Sequence, residues 1–242
     1  MGSREARVWA LIADWARGLG EPVSARHACM ACADAARGSE VALSVKGTDG
    51  REPVYATGQL GERLEELQFI LGEGPCVDAL ASGGPVLAAD LSSPGGLRRW
   101  PGFAVEAATA GAGGMFAFPL QAGAVRVGVL AMYRAQVGPL SSEEFADALV
   151  FADAALVLLL DTRAGIASDA LVWPADGMSE RRVEVHQATG MISAQSQVGI
   201  EQALLRLRAY AFAHNRRIAD VAREVVARRL RFAPVSDTTG DS

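Results

Sequence analysis

The stretches "GMFAFPLQ" (residues 114–121) and "AVRVGVLAMYR" (residues 124–134) stand on either side of a short turn that contains a glycine. Two strand-forming runs joined in this way predict a β-hairpin. A second hairpin is predicted upstream, where "SEVALSVKG" (39–47) and "EPVYAT" (52–57) flank a turn rich in Gly and Asp. With a further strand predicted in "GGPVLAADLSS" (83–93), the sequence indicates a mostly antiparallel sheet.

Helices are predicted on both sides of these strands. Val8, Leu11, Ile12 and Trp15 follow helical spacing, and Ser24 is suited to cap a second helix within residues 4–37. Further helices are expected over residues 60–69, 101–111 and 141–162, the last capped by Ser141 and Glu144. The resulting order, α-α-β-β-α-β-α-β-β-α, predicts an α+β domain over residues 1–163.

The remainder of the chain is predicted to be organised differently. Residues 164–178, "AGIASDALVWPADGM", interrupt the periodicity with Gly and Pro and are expected to form a linker. Residues 179–232 are predicted to be an all-α bundle of three helices, in the second of which Ile200, Leu204, Leu207 and Ala211 share an apolar face. The tail, residues 233–242, is expected to be disordered.

Composition limits the class of protein. Of the 242 residues, 50% are apolar and 21% are charged, which is enough apolar material for a sizeable core. No apolar run reaches the roughly 18 to 20 residues of a membrane span, and the N-terminus lacks a signal-peptide pattern. Three cysteines do not form a secreted disulfide framework, and Cys29 and Cys32 are interpreted as small buried side chains. We expect a cytoplasmic protein with no membrane association, no metal and no cofactor.

Charge is distributed unevenly. Residues 1–178 carry 13 Lys/Arg and 21 Asp/Glu, a net charge of −8. Residues 179–233 carry ten arginines and five acidic residues, a net charge of +5. An acidic body followed by a basic segment is typical of a sensor joined to a nucleic-acid-binding module.

No catalytic motif is present. The sequence contains neither G-x-S-x-G nor H-E-x-x-H, and the pairs Glu65-Glu66 and Glu143-Glu144 are predicted to be solvated helix positions. The segment "LGEGPC" (71–76) lacks the Lys-Ser/Thr of a P-loop, and its Gly-Pro favours a helix start over a phosphate-binding loop. Cys76 is either a redox or adduct-forming residue or a buried small side chain. We therefore expect a protein that is not an enzyme.

The stretch "VEVHQATGMISAQ" (183–195) has the composition of an amphipathic helix, but its centre is nearly stripped of side chain. Ala188, Thr189 and Gly190 are all small, and a helical glycine costs about 1 kcal/mol relative to alanine. Such a site has two explanations. Either a neighbouring helix packs closely against it, or an exposed face admits a partner that is not protein.

The segment 188–226 resembles the ANTAR domain, a three-helix RNA-binding module of bacterial transcription antiterminators. The resemblance lies in three stretches of the segment, "ATGMI" (188–192), "ALLRLR" (203–208) and "NRRIADVA" (215–222), together with Ala211. Upstream, "LQFILGEGPCVDAL" (67–80) is similar to a motif of GAF domains in actinobacterial GAF–ANTAR proteins. The resemblance implies a GAF-like antiparallel sheet with flanking helices, followed by an ANTAR bundle.

The resemblance also implies a function and a site. ANTAR proteins bind paired RNA stem-loops in nascent leader transcripts, commonly as dimers, under the control of a sensory domain. RNA-binding residues are then expected on the small-residue face and in the basic turn after the second helix: Ala188, Thr189, Gly190, Met191, Arg208, Asn215, Arg216 and Arg217. Many members have a Lys or an acidic residue where this chain has Ser193 or Gln195, and the phosphorylatable receiver domain found in other members is absent from this sequence.

Three alternatives compete with this interpretation. The basic bundle could be a helix-turn-helix that binds duplex DNA, although its third helix lacks Asn, Gln, Ser or Thr on the outer face. It could instead dock an acidic protein, or an enzyme could be hidden in the GAF-like domain. We expect a homodimer with the helix over 141–162 as the dimer element, and a small-molecule or protein signal at the GAF-like domain.

Overall fold

The computed structural model describes residues 2–36, 38–47, 50–163, 178–214, 216 and 218–232, and the chain divides into two compact units, Met1–Leu171 and Val172–Ser242. The helices of the first unit are α1 (Gly2–Leu19), α2 (Ala25–Ala35), α3 (Gln59–Leu71), α4 (Pro75–Ser82), α5 (Pro94–Arg99), α6 (Pro101–Thr109) and α7 (Ser142–Arg163). Its strands are β1 (Ser39–Gly47), β2 (Gly50–Ala56), β3 (Val86–Ala88), β4 (Gly114–Ala122) and β5 (Val125–Arg134).

The strands form one sheet in the order β2-β1-β5-β4-β3, and every pairing among them is antiparallel. Both predicted hairpins are confirmed, as β1–β2 and β4–β5. The two hairpins join through β1 and β5, where Leu43 lies opposite Leu130. Gly128 is required in this pairing, since a Cβ at that position would collide with the carbonyl oxygen of Ser44.

Alternation of side chains gives the sheet two buried faces. Phe116, Phe118 and Leu130 point towards one hydrophobic cluster, which also contains residues of α1, α2 and α7. Met115, Val129 and Tyr133 point the other way, into a cluster with residues of α3, α4 and α6. The fold is therefore an antiparallel sheet between two layers of helices, which confirms the predicted α+β class.

The helices differ from the prediction in one region. The strand expected over 83–93 shortens to Val86–Ala88, and a short helix, α5, forms within that segment, where no helix was predicted. Upstream, α4 begins at Pro75, where the Gly-Pro pair favoured a helix start, although its extent was not predicted. Each of these helices begins with a proline in its first turn, and Ser93 Oγ accepts the Gly96 N–H (3.1 Å) to cap α5. Local caps rather than apolar periodicity thus specify them.

The capping residues predicted from sequence form their hydrogen bonds. Ser141 Oγ accepts the Glu144 N–H (3.2 Å), and Glu144 in turn accepts the Ser141 N–H (2.7 Å), which completes the capping box of α7. At the start of α2, the Ser24 N–H donates to Nδ1 of His27 (3.1 Å). Glu144 also forms an ion pair with Arg134, so the expectation that it is an ordinary solvated position was incomplete.

The second unit contains α8 (Met178–Ser196), α9 (Ile200–Ala213) and α10 (Ile218–Val226), and the predicted three-helix arrangement is confirmed. Leu204, Leu207 and Ala211 are buried as expected, whereas Ile200 is 45% exposed at the first residue of α9. The linker predicted over residues 164–178 falls outside the described residues except for Met178, which is the first residue of α8. The tail, residues 233–242, also falls outside them. Within the described part of the chain, no helix is both long and apolar enough to cross a membrane.

Candidate nucleic-acid interface

The first two residues of the small-residue stretch 188–190 in α8 lie inside the bundle. Ala188 and Thr189 are buried, and the Thr189 hydroxyl donates to the Val185 carbonyl one turn earlier (2.7 Å). The expectation that both lie on an exposed face was therefore wrong. The physical reason is that helices α9 and α10 both pack on α8, so the small side chains of Ala188 and Thr189 allow close packing of the bundle.

Gly190 lies on the opposite side of the helix. It is exposed, and a Cβ built there would meet nothing within 4 Å. No steric reason within the bundle thus requires a glycine at this position. Met191 beside it is half-buried, and Gln187 and Ala194 are exposed one turn to either side. Gly190 therefore opens the backbone on a solvent-facing strip of α8.

The predicted basic residues have different environments. Arg208 on α9 is half-buried, and burial lowers the pKa of its guanidinium. Arg216 donates to both carboxylate oxygens of Glu224 on α10, each at 2.9 Å. This pair raises the pKa of Arg216 and lowers the pKa of Glu224. Asn215 and Arg217, the other two predicted residues of the turn, lie outside the described residues.

Further arginines of the second unit reach solvent. Arg223 is exposed but bonded to Glu184 (3.3 Å) and Asp220 (3.1 Å). Arg228, Arg229 and Arg231 are exposed in the segment that follows α10. These three arginines are suited to contact phosphates, since they lie at the surface of a unit with a net positive charge.

An aromatic cluster that was not predicted from the sequence lies beside the basic turn. The rings of Tyr210 and His214 are stacked, with centroids 3.9 Å apart and an interplanar angle of 19°. Phe232 contacts Tyr210 edge-on at 5.5 Å, and its backbone N–H donates to Gln195 at the end of α8 (3.2 Å). The i, i+4 spacing of Tyr210 and His214 was the available signal, because residues so spaced are neighbours on a helix.

The two positions that differ from many ANTAR proteins have contacts within the bundle. Ser193 Oγ donates to the Val198 carbonyl across the α8–α9 turn (2.6 Å), and Gln195 accepts the Phe232 N–H. Both residues therefore hold neighbouring segments in place.

In the first unit, the segment "LGEGPC" joins two helices. Gly72 and Gly74 have φ angles of +67° and +132°, a backbone conformation that favours glycine, and Pro75 begins α4 as predicted. The Glu73 carboxylate between them accepts the backbone N–H groups of Gly102 and Phe103 at the start of α6, both at 2.7 Å. A bound anion would need these backbone N–H groups at the start of α6. Because Glu73 already accepts both of them, they are not available to an anion.

A buried polar cluster, absent from the sequence predictions, lies on the α3 side of the sheet. Glu65, predicted to be solvated, is 1% exposed. Its carboxylate forms an ion pair with Arg51 and accepts the Tyr133 hydroxyl, and the Cys76 thiol lies 3.6 Å away. Burial raises the pKa of Cys76 to about 12, so the thiol is protonated at neutral pH and behaves as a buried small side chain.

A pocket of about 280 Å³ opens between strand β3 and the start of α7. Leu87, Phe116, Leu140 and Phe145 contribute its apolar lining, and Ser141 and Ser142 contribute polar atoms. Cys29 and Cys32 are buried in the core on the α2 side. Among the described residues, no group of three or more His, Cys, Asp or Glu side chains is placed to hold a metal ion.

Comparison with known families settles the class of both units. Residues 12–159 match the GAF domain, and residues 177–226 match the ANTAR domain. The chain belongs to the GAF domain family and carries an ANTAR domain. Both domains are regulatory, and together they make this GAF–ANTAR protein a regulator of the ANTAR type, with a sensory domain and an RNA-binding domain.

Solved structures similar to the GAF–ANTAR protein include GAF domains and an enzyme. The GAF domain of a phosphoenolpyruvate-protein phosphotransferase from Coxiella burnetii is 14% identical, with a TM-score of 0.51 over 67% of this chain and 98% of that one. The corresponding domain from Acinetobacter is 12% identical (TM-score 0.49; 65% of this chain, 96% of that one). A free methionine-R-sulfoxide reductase from Neisseria meningitidis is 14% identical (TM-score 0.48; 67% and 93%). At these identities the likeness concerns the fold. No curated protein matches the chain.

Proposed function

We propose that the GAF–ANTAR protein is a signal-responsive antitermination regulator that binds paired stem-loops in nascent leader transcripts in the cytoplasm. The observation that carries this proposal is Gly190, a helical glycine on an exposed face where nothing in the bundle restricts its size. A nucleotide that contacts the helix backbone at this position would require a residue without a side chain. Met191 borders the same strip.

The basic residues of the second unit supply the electrostatic part of this interaction. Arg228, Arg229 and Arg231 are exposed, and Arg216 and Arg208 lie at or near the surface. Contacts between arginine and phosphate supply affinity independent of sequence, and specificity for loops then comes from unpaired bases. Ala188 and Thr189 contribute indirectly, because their packing inside the bundle fixes the orientation of Gly190.

The GAF domain is proposed to receive the signal, a small molecule or a protein, and to have no catalytic role. The pocket beside β3 is near the lower end of the size range of ligand sites and is mostly apolar. Its lining contains Ser141, the residue that caps α7, so a bound molecule would contact the start of that helix.

Helix α7 is proposed to mediate homodimerisation. The helix exposes three apolar residues at helical spacing, Leu149, Val157 and Leu160, each 38–46% accessible. The opposite side of α7 packs in the core. A second copy that covers this strip would remove exposed apolar surface from water.

The experiment that tests the proposal is crosslinking of the protein to RNA in cells, followed by sequencing of the attached RNA. We expect two adjacent stem-loops upstream of coding regions. Enrichment of duplex DNA, or of one protein in a manner insensitive to ribonuclease, would overturn the proposal in favour of a DNA-binding factor or an adaptor.

A further inference from the structure

The cluster of Tyr210, His214 and Phe232 is built as a rigid aromatic surface. The Nδ1–H of His214 donates to the Tyr210 carbonyl (2.8 Å), since a carbonyl oxygen only accepts, and this bond fixes the imidazole parallel to the phenol ring. Phe232 supports Tyr210 edge-on. Tyr210 and Phe232 are half-buried, whereas His214 is exposed. Tyr210 therefore covers one face of the imidazole, and His214 is still exposed to solvent.

Charged side chains of the turn and of α10 lie near this surface. Arg216 lies close enough to Tyr210 for the tyrosine to raise the pKa of its guanidinium, and Glu224 holds Arg216 there with two hydrogen bonds. Arg229 is exposed, and its backbone N–H donates to the Glu224 carbonyl (2.8 Å). Arg216 is thus paired with Glu224 and also lies near Asp220, whereas the exposed side chain of Arg229 is available to a phosphate.

A flat ring with a free face, held rigidly and bordered by cations, is the arrangement by which proteins hold unpaired nucleotides. Every nucleobase has a π-face that stacks on an aromatic side chain, and the adjacent phosphates contact basic groups. Because the His214 ring is already fixed, stacking on it requires little further ordering of the protein. A role limited to helix stability does not require the ring to be exposed.

We propose that the free face of His214 is a stacking site for one unpaired nucleobase of an RNA loop, with a neighbouring phosphate on Arg229. This inference rests on the proposed function and deepens it, since it names where a base is held. Gly190 and His214 would then contact separate nucleotides, one through the helix backbone and the other through a ring.

The test uses the full-length protein and RNAs with two adjacent stem-loops, whose loops are selected on the wild-type protein from a randomised pool. Each unpaired loop nucleotide is then replaced in turn by 2-aminopurine, whose fluorescence is quenched by stacking. We expect quenching at one loop position. His214→Ala should abolish this quenching and weaken binding about 5- to 150-fold, which corresponds to ~1–3 kcal/mol. His214→Phe should retain both properties.

Phe212→Ala is the matched control, because it removes an exposed aromatic side chain from the same helix outside the cluster. It should bind like the wild type, and thermal unfolding should show that all variants are folded. If the wild type binds RNA and His214→Ala shows the same binding and quenching, the stacking site is overturned but the proposed function is not. Equal losses in His214→Phe and His214→Ala would also overturn it. A wild type that selects no RNA would instead overturn the proposed function.

Discussion

Gly190 and its neighbours show two uses of small residues within one helix. Ala188 and Thr189 are small because α9 and α10 pack against α8, whereas Gly190 faces solvent with open space around it. Gly18 on α1 has equally open surroundings, so the evidence for a partner outside the bundle is the position of Gly190 in the RNA-binding domain together with its cost of about 1 kcal/mol relative to alanine.

Gly190→Ala should therefore stabilise the protein and impair its function. We expect the free energy of unfolding to rise by up to about 1 kcal/mol, because alanine is the better helix former and its Cβ meets no atom. We expect RNA binding to weaken, because the new methyl group separates the nucleotide from the backbone. Urea unfolding and filter binding on the same preparation measure both effects.

Gly18→Ala on α1 is the matched control, since Gly18 is also a helical, exposed glycine with nothing within 4 Å of a built Cβ. It should leave RNA binding unchanged. Equal RNA affinities of Gly190→Ala and wild type would contradict the role of Gly190. Thr189→Leu is unsuitable for this purpose because Thr189 is buried and bonded.

Glu65→Gln should strongly destabilise the GAF domain. The substitution removes the negative charge that pairs with buried Arg51, and an unpaired buried charge costs about 3–5 kcal/mol. Glu62→Gln, an exposed position on the same helix, should change stability by less than about 0.5 kcal/mol. Chemical denaturation followed by circular dichroism measures both variants.

A double variant separates charge from packing in this cluster. Replacing both partners, Arg51→Met with Glu65→Leu, should recover much of the stability lost in Glu65→Gln, because no unpaired charge remains. If Glu65→Gln were as stable as the wild type, the buried ion pair would be refuted as a stabilising element.

The position of Glu65 could not be predicted from sequence. Its partners Arg51 and Tyr133 lie 14 and 68 residues away, and only the folded sheet brings them to α3. Local spacing indicates a solvated glutamate there, since acidic residues are rarely buried without a partner. The same limit applies to Arg216, whose partner Glu224 lies on the next helix.

Among the helices and strands, those with strong periodicity could be predicted from the sequence. The two hairpins, α7 and the three helices of the second unit follow from alternation, helical spacing and caps. The helices α4 and α5 are eight and six residues long, too short for an apolar stripe to be recognised. For α4 the Gly-Pro pair indicated only where the helix begins, and the glycines around α5 indicated a loop.

The start of α2 should respond to pH through His27. Burial lowers the pKa of His27, against an opposing effect of Glu21. The unfolded chain therefore takes up this proton first as the pH falls below about 6.5, so stability is full above that value and declines until the folded-state pKa is passed. His27→Gln should lack this decline.

Thermal unfolding of both proteins at about pH 7.5 and about pH 5.5 checks the prediction. The wild type should lose more stability than His27→Gln over this interval. If the difference in stability between the wild type and His27→Gln were the same at both pH values, this role of His27 would be contradicted.

The proposed dimerisation through α7 is tested by the substitution Val157→Glu. A charge in the exposed strip of Leu149, Val157 and Leu160 should dissociate the proposed dimer, because covering an unpaired carboxylate is costly. Val105→Glu on α6, a valine that is also about half exposed, should leave the mass unchanged. Sedimentation equilibrium at micromolar concentration distinguishes the outcomes, and a wild type that sediments as a monomer would contradict this role of α7.

At the scale of the whole molecule, charge separates the two functions. The body up to residue 178 has a net charge of −8, and residues 179–233 have a net charge of +5. RNA is therefore attracted to the second unit and repelled by the first, which favours a defined binding site over non-specific adsorption. Sequence alone indicated this division, whereas the exposed position of Gly190 and the stacked ring of His214 required the structure.

Recognition of looped RNA by the GAF–ANTAR protein is tested by one comparison of affinities. Full-length protein is titrated, at fixed salt and with the dimer verified, against a transcript with two adjacent stem-loops and against a duplex of the same length without loops. We expect at least about tenfold tighter binding to the looped transcript, which corresponds to ~1.4 kcal/mol. Equal affinities for the two RNAs would contradict it.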